Sequence, residues 1–281
     1  MNNTFNLNRF GKLLAYDGRK YIRNFGLTLA ILCGLNLVLW LLTLIFGFTM
    51  PTLPRYGVIW LAVTLGIMLV PAKAFGDINL SRQGVQYAML PVSNLEKYLS
   101  YALYCLLTPV VIALGSWILD ALLTLLPLGG FDHYIRHFGI IGVTEDFIQE
   151  MSVTVSKTDI TTEEIFDNSI MSVFGPAYHY AMILSLIFNI GLFMLGNLLF
   201  KTHKTGKTLA CMIGISYVLS MINSVILFAK GGLLMFTQNI SDITSLSQFT
   251  NGVFLASNII NTILAVGLFV GIFFKLKTQK Y

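Results

Sequence analysis

Six apolar runs of about 20 residues or more set the narrowest limits on how this chain can fold. They lie near residues 27–48, 56–75, 99–126, 178–200, 208–229 and 252–274, and each is long enough to cross a hydrocarbon layer as a helix. Backbone amides inside lipid find no water to bond, so each run must be helical. The composition agrees, since 56% of residues are hydrophobic and only 11% are charged. We predict an all-α, polytopic protein whose 281 residues form a single transmembrane domain.

The basic residues predict how these spans are oriented. Lys and Arg in short loops resist translocation, so the side that carries most of them faces the cytoplasm. With both termini inside, 14 of the 18 basic residues fall on the cytoplasmic side, and the other four are Arg55, Arg136, Lys157 and Lys230. The sequence therefore predicts a multi-pass protein with both termini cytoplasmic.

Residues 5–26, ahead of the first apolar run, predict an amphipathic helix that lies in the inner membrane interface. On a helical projection, the apolar side includes Phe10, Leu13 and Leu14, and the basic side includes Arg19, Lys20 and Arg23. Asp17 falls within the apolar side, and Asp17 and Gly18 together could equally mark a break where the helix bends toward the first span. The alternative is a basic flank that only obeys the orientation rule.

A polar connector, residues 76–98, separates the second and third runs. Ser93 and Glu96 form an S-x-x-E capping box, which predicts that a helix begins at Asn94 and continues into the third span. Pro91 blocks a continuous helix from the preceding segment. Residues 80–89 are predicted to form a short helix that carries Arg82 outward and leaves Tyr87 and Met89 available to a partner. The alternative is a solvated linker.

This connector, the six spans and the opening residues FNLNRF resemble the type-2 ABC transporter permease family, especially small permease-like proteins of Bacteroidetes. The closest resemblance is carried by Phe75, Asp77, Tyr87, Met89, Leu90, Pro91, Ser93, Glu96 and Lys97. It implies a cytoplasmic coupling helix that rests in a groove of a separate ATPase, which binds ATP and Mg. The coupling residues would be Arg82, Tyr87, Met89, Leu90, Pro91, Ser93, Glu96 and Lys97. The resemblance also implies an exporter in the bacterial inner membrane, paired as a homodimer or with a related permease.

The long segment 128–177 between the third and fourth spans departs from the family pattern, in which small outer helices commonly lie between spans five and six. Residues 152–156 could form a short strand, and Thr161 to Glu164 is another capping-box pattern. A small folded outer cap and an elaborated loop without a binding role are both consistent with this segment.

Apparent catalytic and metal-binding signals are weak. Gly206, Lys207 and Thr208 match the end of a phosphate-binding loop, but its required first glycine is replaced by Lys201. His133 and His137 could share a helix face beside Asp132, yet a surface pair is the simpler interpretation. We expect no nucleotide-binding motif, cofactor or metal site in this chain, no catalytic residue and no nucleic-acid partner.

Polar residues inside the spans are better candidates for function, because they are costly in lipid and usually face protein or water. Asp120 is the one acidic residue in a predicted span and lies toward its outer end. Asn189 and Asn223 could supply interhelical hydrogen bonds, and packing is the favoured role for such asparagines. A stand-alone secondary transporter or channel that uses Asp120 is the alternative function. A membrane receptor or scaffold that uses segment 128–177 is another.

Overall fold

A computed structural model describes residues 5–126, 130–131, 176–227 and 243–278 of the chain. Within these residues the regular structure is helical, with no strand, which confirms the all-α prediction. The helices are α1 (Leu7–Cys33), α2 (Leu35–Phe46), α3 (Thr52–Ala74), α4 (Ser81–Ala88), α5 (Asn94–Thr124), α6 (Pro176–Leu199), α7 (Lys204–Leu227) and α8 (Ile243–Thr278). The predicted strand at 152–156, the helix start at Thr161 and the His133–His137 pair lie outside the described residues.

Six stretches of helix are long and apolar enough to cross a membrane, as the sequence predicts. They are Leu7–Phe46, Pro54–Ala74, Asn94–Thr124, Tyr180–Leu199, Lys204–Ile222 and Ser257–Thr278. The first differs from the prediction, because its 40 residues combine the expected interfacial helix with the first span. At 1.5 Å per residue this stretch would extend roughly 60 Å, about twice the hydrocarbon thickness.

The interruption in this first stretch occurs at Gly34 rather than at Asp17 and Gly18. α1 continues without a break through both of those residues and ends at Cys33, and α2 begins at Leu35. The possible helix break at Asp17 and Gly18 is therefore wrong. α2 ends at Gly47, whose φ of 66° lies in the left-handed region that glycine adopts without strain.

The chain divides into two compact units. The first contains Met1–Ile135, Asn189–Ala210 and Val266–Tyr281, and the second contains Arg136–Phe188 and Cys211–Ala265. In the first unit α1, α3 and α5 pack against one another, and α2 packs on α3 and α5. Glycines permit some of these approaches: a Cβ at Gly115 would lie 2.8 Å from the Cys33 sulfur. In the second unit, the described part of α7 exposes large apolar side chains, including Tyr217 and Val225.

Candidate functional site

The connector between α3 and α5 folds into two short helical pieces. A 3₁₀ turn at Gly76–Asn79 is followed by α4, and this confirms the predicted short helix within residues 80–89. Arg82 lies in the first turn of α4. At the other end, the Lys97 Nζ donates to the Ala88 carbonyl at 2.9 Å. A cation there satisfies a carbonyl that the helix leaves unpaired and complements the negative end of the helix dipole.

A capping box begins α5, as the S-x-x-E pattern predicts. The Glu96 amide donates to Ser93 Oγ at 3.2 Å, and the Ser93 amide donates to Glu96 Oε2 at 2.8 Å. The other carboxylate oxygen extends to α1, where it accepts from the Asn6 amide at 2.8 Å and from the Arg9 guanidinium at 3.3 Å. The Glu96 side chain is fully buried. One carboxylate thus joins the beginnings of α1 and α5.

A second buried carboxylate, Asp17, joins α1 to both α4 and α5. Its Oδ2 accepts from the Ser100 hydroxyl at 2.6 Å and from the Tyr87 hydroxyl at 3.4 Å. The ammonium groups of Lys20 and Lys97 lie 5.8 and 5.6 Å from the centre of the Tyr87 ring. These contacts explain why Asp17 lies within the apolar stripe of α1, because a buried carboxylate needs hydrogen-bond partners.

An aromatic cluster surrounds this end of the bundle. The Tyr21 and Tyr104 rings stack at 5.3 Å, and the Phe75 and Tyr101 rings meet edge to face at 5.1 Å. The hydroxyls are also used: Tyr104 donates to the Leu14 carbonyl at 2.9 Å, and Tyr101 donates to a carbonyl of α6 at 3.1 Å. Such rings combine a large buried surface with directed hydrogen bonds.

The connector is also bonded to the junction between α6 and α7. The Asn79 amide nitrogen donates to the Asn197 carbonyl at 3.4 Å and to the Phe200 carbonyl at 3.1 Å. Lys204, the first residue of α7, donates to the Gly76 carbonyl. The connector therefore contacts four of the candidate spans through polar groups. The sequence predicted interhelical hydrogen bonds for Asn197 but singled out neither Asn79 nor Lys204 for this role.

The structure corrects the prediction that α4 presents Tyr87 to a partner. The Tyr87 side chain is buried against α1 and α5, where its hydroxyl reaches Asp17. Met89 is 77% exposed, Pro91 is exposed and Leu90 is half-buried. Ser93, Glu96 and Lys97 are also buried. Side-chain exposure is described for seven of the eight predicted coupling residues, all but Arg82. Among these seven, Met89 and Pro91 are exposed.

The amphipathic pattern of α1 is also used differently from the prediction. Leu13, Tyr21 and Phe25 are buried inside the protein, where α1 packs on α3 and α5, so this stripe does not face lipid. Phe10 and Leu14 are half-buried. On the basic side, Arg19 and Arg23 are exposed and Lys20 is half-buried. The periodicity could not distinguish burial in lipid from burial against a neighbouring helix, because both require an apolar face.

Asp120 forms a buried ion pair that the sequence did not reveal. Arg55 donates through Nε to Asp120 Oδ1 at 3.0 Å and bonds the carboxylate through a second nitrogen. Asn36 also donates to Oδ1, at 3.2 Å, and the Arg55 guanidinium lies 4.2 Å from the centre of the Phe131 ring. Arg55 and Asp120 are both fully buried. The pair could have been found from position alone. Because α3 and α5 are antiparallel neighbours, the start of α3 and the end of α5 must lie at the same end.

The other predicted intramembrane polar residues, Asn189 and Asn223, lie in α6 and α7. Asn189 is half-buried in α6, and Asn223 lies in α7, outside the residues whose side chains are described. Gly206, Lys207 and Thr208 lie in the first turns of α7, where Thr208 is buried and bonds the Lys204 carbonyl. In the part of the chain that the structure describes, no group of three His, Cys, Asp or Glu side chains could hold a metal ion.

No model of a known protein family, no curated protein and no solved structure matches the chain.

Proposed function

We propose that this chain is the membrane-spanning permease subunit of an ABC transporter, an exporter driven by a separate ATPase. The connector's resemblance to type-2 permeases suggests the class, and one observation supports it best. α4 is a short helix between two spans that has exposed apolar residues at its ends and polar bonds to its neighbours. This is the arrangement that a coupling helix needs.

The exposed ends of α4 would supply the docking surface. Leu80 and Met89 are 41% and 77% exposed, and Pro91 is exposed next to them. In the proposed orientation these residues lie on the cytoplasmic side, outside the lipid. Exposed apolar side chains in such a place favour contact with a protein partner.

The hydrogen bonds between the connector and the spans would transmit the movement of α4. Displacing α4 would strain the bonds from Asp17 to Tyr87 and from Lys97 to Ala88, and displacing the 3₁₀ turn would strain those of Asn79. ATP-driven closure of the ATPase would thereby move several spans together and switch the opening between the two sides. The chain itself hydrolyses nothing in this proposal; the partner binds ATP and Mg.

The assembly would contain two permease chains, identical or related, in the bacterial inner membrane with both termini cytoplasmic. Six spans per chain would give twelve in the transporter. In α8, a Cβ at Gly267 or Gly271 would meet no atom within 4 Å among the described residues, so this G-x-x-x-G face is open. Mass photometry of the detergent-solubilised complex tests the pairing.

Co-purification tests the proposal. A tagged chain, expressed in its own cells and mildly solubilised, should bring down an ATPase with a complete phosphate-binding loop. Met89→Asp should abolish this association, because it places a charge on the docking surface. Leu125→Asp is the matched control, since Leu125 is 78% exposed and lies at the opposite end of α5 from the connector. If the wild type brings down no ATPase, or if both variants behave alike, the proposal is wrong.

A stand-alone secondary transporter is the second candidate, and the buried Arg55–Asp120 pair is the observation that favours it. Charged groups within membrane helices often mark ion or substrate pathways. Purified chain in vesicles would then transport without any ATPase, and Asp120→Asn would alter the ion dependence. Under the permease proposal, vesicles that contain the chain alone show no active transport.

A further inference from the structure

A cleft of about 410 Å³ opens between α1 and the connector. Its α1 wall carries Tyr16, Arg19, Lys20 and Arg23, which recur at helical spacing along one face, and its connector wall includes Asp77 and Gln86. We call it the basic cleft. It is large enough for a phosphate group and part of the molecule that carries it.

The charges of the basic cleft are only partly balanced. Lys20 pairs with Asp77 at 3.3 Å, which leaves the charges of Arg19, whose Nε donates to the Ala15 carbonyl at 3.3 Å, and of Arg23. Both are exposed, and within the described ranges no carboxylate lies within salt-bridge distance of either. The two guanidinium groups and the Tyr16 hydroxyl lie on one helix face, and together they can donate several hydrogen bonds to the oxygens of a phosphate.

The basic cleft also lies where a span begins. α1 carries no charged residue after Arg23, and the exposed side chains beyond it include Leu27 and Ile31, at 80% and 58%. Lys73, near the end of α3, donates to the Thr28 hydroxyl at 3.0 Å, so a neighbouring helix supplies a further cation beside this part of α1. This change from basic to apolar surface is typical of the headgroup region of a membrane.

We propose that the basic cleft binds the phosphate of an anionic phospholipid, with Arg19 and Arg23 as its ligands. The acyl chains extend along the exposed apolar part of α1. A zwitterionic phospholipid binds less well, because its cationic group meets the excess positive charge. The occupied cleft bridges α1 and the connector, so the lipid steadies the contact between them. This inference does not depend on an ATPase partner.

Thermal unfolding of the purified chain in neutral detergent tests it, with dioctanoyl phosphatidylglycerol as the probe. The concentration dependence of Tm gives an apparent Kd. Removing two charges by Arg19→Gln together with Arg23→Gln should weaken that Kd about thirtyfold, since each basic residue near a lipid surface contributes about 1 kcal/mol. The matched control, Lys12→Gln with Lys277→Gln, removes two exposed charges outside the cleft and should leave the Kd nearly unchanged.

Two further probes distinguish the possible ligands. Dioctanoyl phosphatidylcholine and inorganic phosphate should each raise Tm much less than phosphatidylglycerol at equal concentration. Equal protection by inorganic phosphate would overturn the lipid assignment, and so would equal protection by phosphatidylcholine. If the cleft variant retains its lipid affinity, or if the control variant loses as much, the site is wrong. Loss of ATPase association with lipid affinity intact would assign the basic cleft to an acidic surface of a partner protein instead.

Discussion

At the scale of single residues, buried carboxylates hold this helical protein together at both ends of its first unit. Asp17 accepts hydrogen bonds from Ser100 and Tyr87 near the connector, and Asp120 pairs with Arg55 where α5 ends. Burying a charge is costly, and the cost is offset only when its partners remain in place. Such sites are therefore sensitive to the loss of one member.

Replacing Asp17 with Ala should destabilise the detergent-solubilised protein by about 1–3 kcal/mol, because it removes the buried hydrogen bonds from the Ser100 and Tyr87 hydroxyls to the Asp17 carboxylate. Differential scanning fluorimetry measures the fall in Tm. Lys12→Ala, an exposed change in the same helix, is the control. An unchanged Tm for the Asp17 variant would show that these bonds do not hold α1 in place.

Replacing Asp120 with Leu should cost about 3–5 kcal/mol, since it removes the carboxylate that pairs with the buried Arg55 guanidinium. Adding Arg55→Met should restore most of that stability, because two apolar side chains replace two charges. A double-mutant cycle from thermal unfolding gives the coupling energy. Additive losses from the two changes would contradict the ion pair.

At the scale of helices, Gly18 shows how a local pattern can mislead. Next to Asp17, a glycine in a helix suggests a break, yet α1 continues through it without one. A Cβ at Gly18 would lie 2.5 Å from the Tyr104 hydroxyl, which bonds the Leu14 carbonyl of α1. The glycine thus permits a side chain of α5 to reach the backbone of α1.

Gly18→Ala should therefore lower Tm by displacing the Tyr104 hydroxyl from the Leu14 carbonyl, despite the better helix propensity of alanine. Combining it with Tyr104→Phe removes the oxygen that clashes and should recover part of the loss. Tyr104→Phe alone gives the cost of the lost hydrogen bond. If Gly18→Ala raises Tm, the close approach of the two helices is wrong.

The sequence predicted the spans, the capping box at Ser93 and the short connector helix, because apolar length and capping chemistry are local signals. It did not predict which helices meet. The roles of Asn79, Asn197 and Lys204 depend on contacts between residues more than a hundred positions apart. Tyr87 was misplaced for the same reason: an aromatic residue in a polar segment can serve a partner or the chain's own helices.

At the scale of the whole molecule, the uneven distribution of basic residues is the main argument for orientation. It predicts that the connector and both termini lie in the cytoplasm and that the end of α5 lies outside. Leu125, just beyond α5, is 78% exposed and offers a labelling site of about the same exposure as Met89.

Thiol labelling in intact cells tests this orientation, after the three native cysteines are replaced by serine. A membrane-impermeant maleimide should label Leu125→Cys at once, and should label Met89→Cys only after the membrane is permeabilised. The opposite pattern would invert the orientation and remove the connector from the reach of any cytoplasmic ATPase.

The most direct test of the central claim is photo-crosslinking from position 89 in living cells. With benzoylphenylalanine in place of Met89, we expect an adduct whose mass spectrum identifies the ATPase subunit, and the same group at Leu125, at the opposite end of α5, should give none. An adduct at position 89 with lipid alone, or equal ATPase adducts from both positions, would contradict the claim that α4 couples this chain to an ATPase.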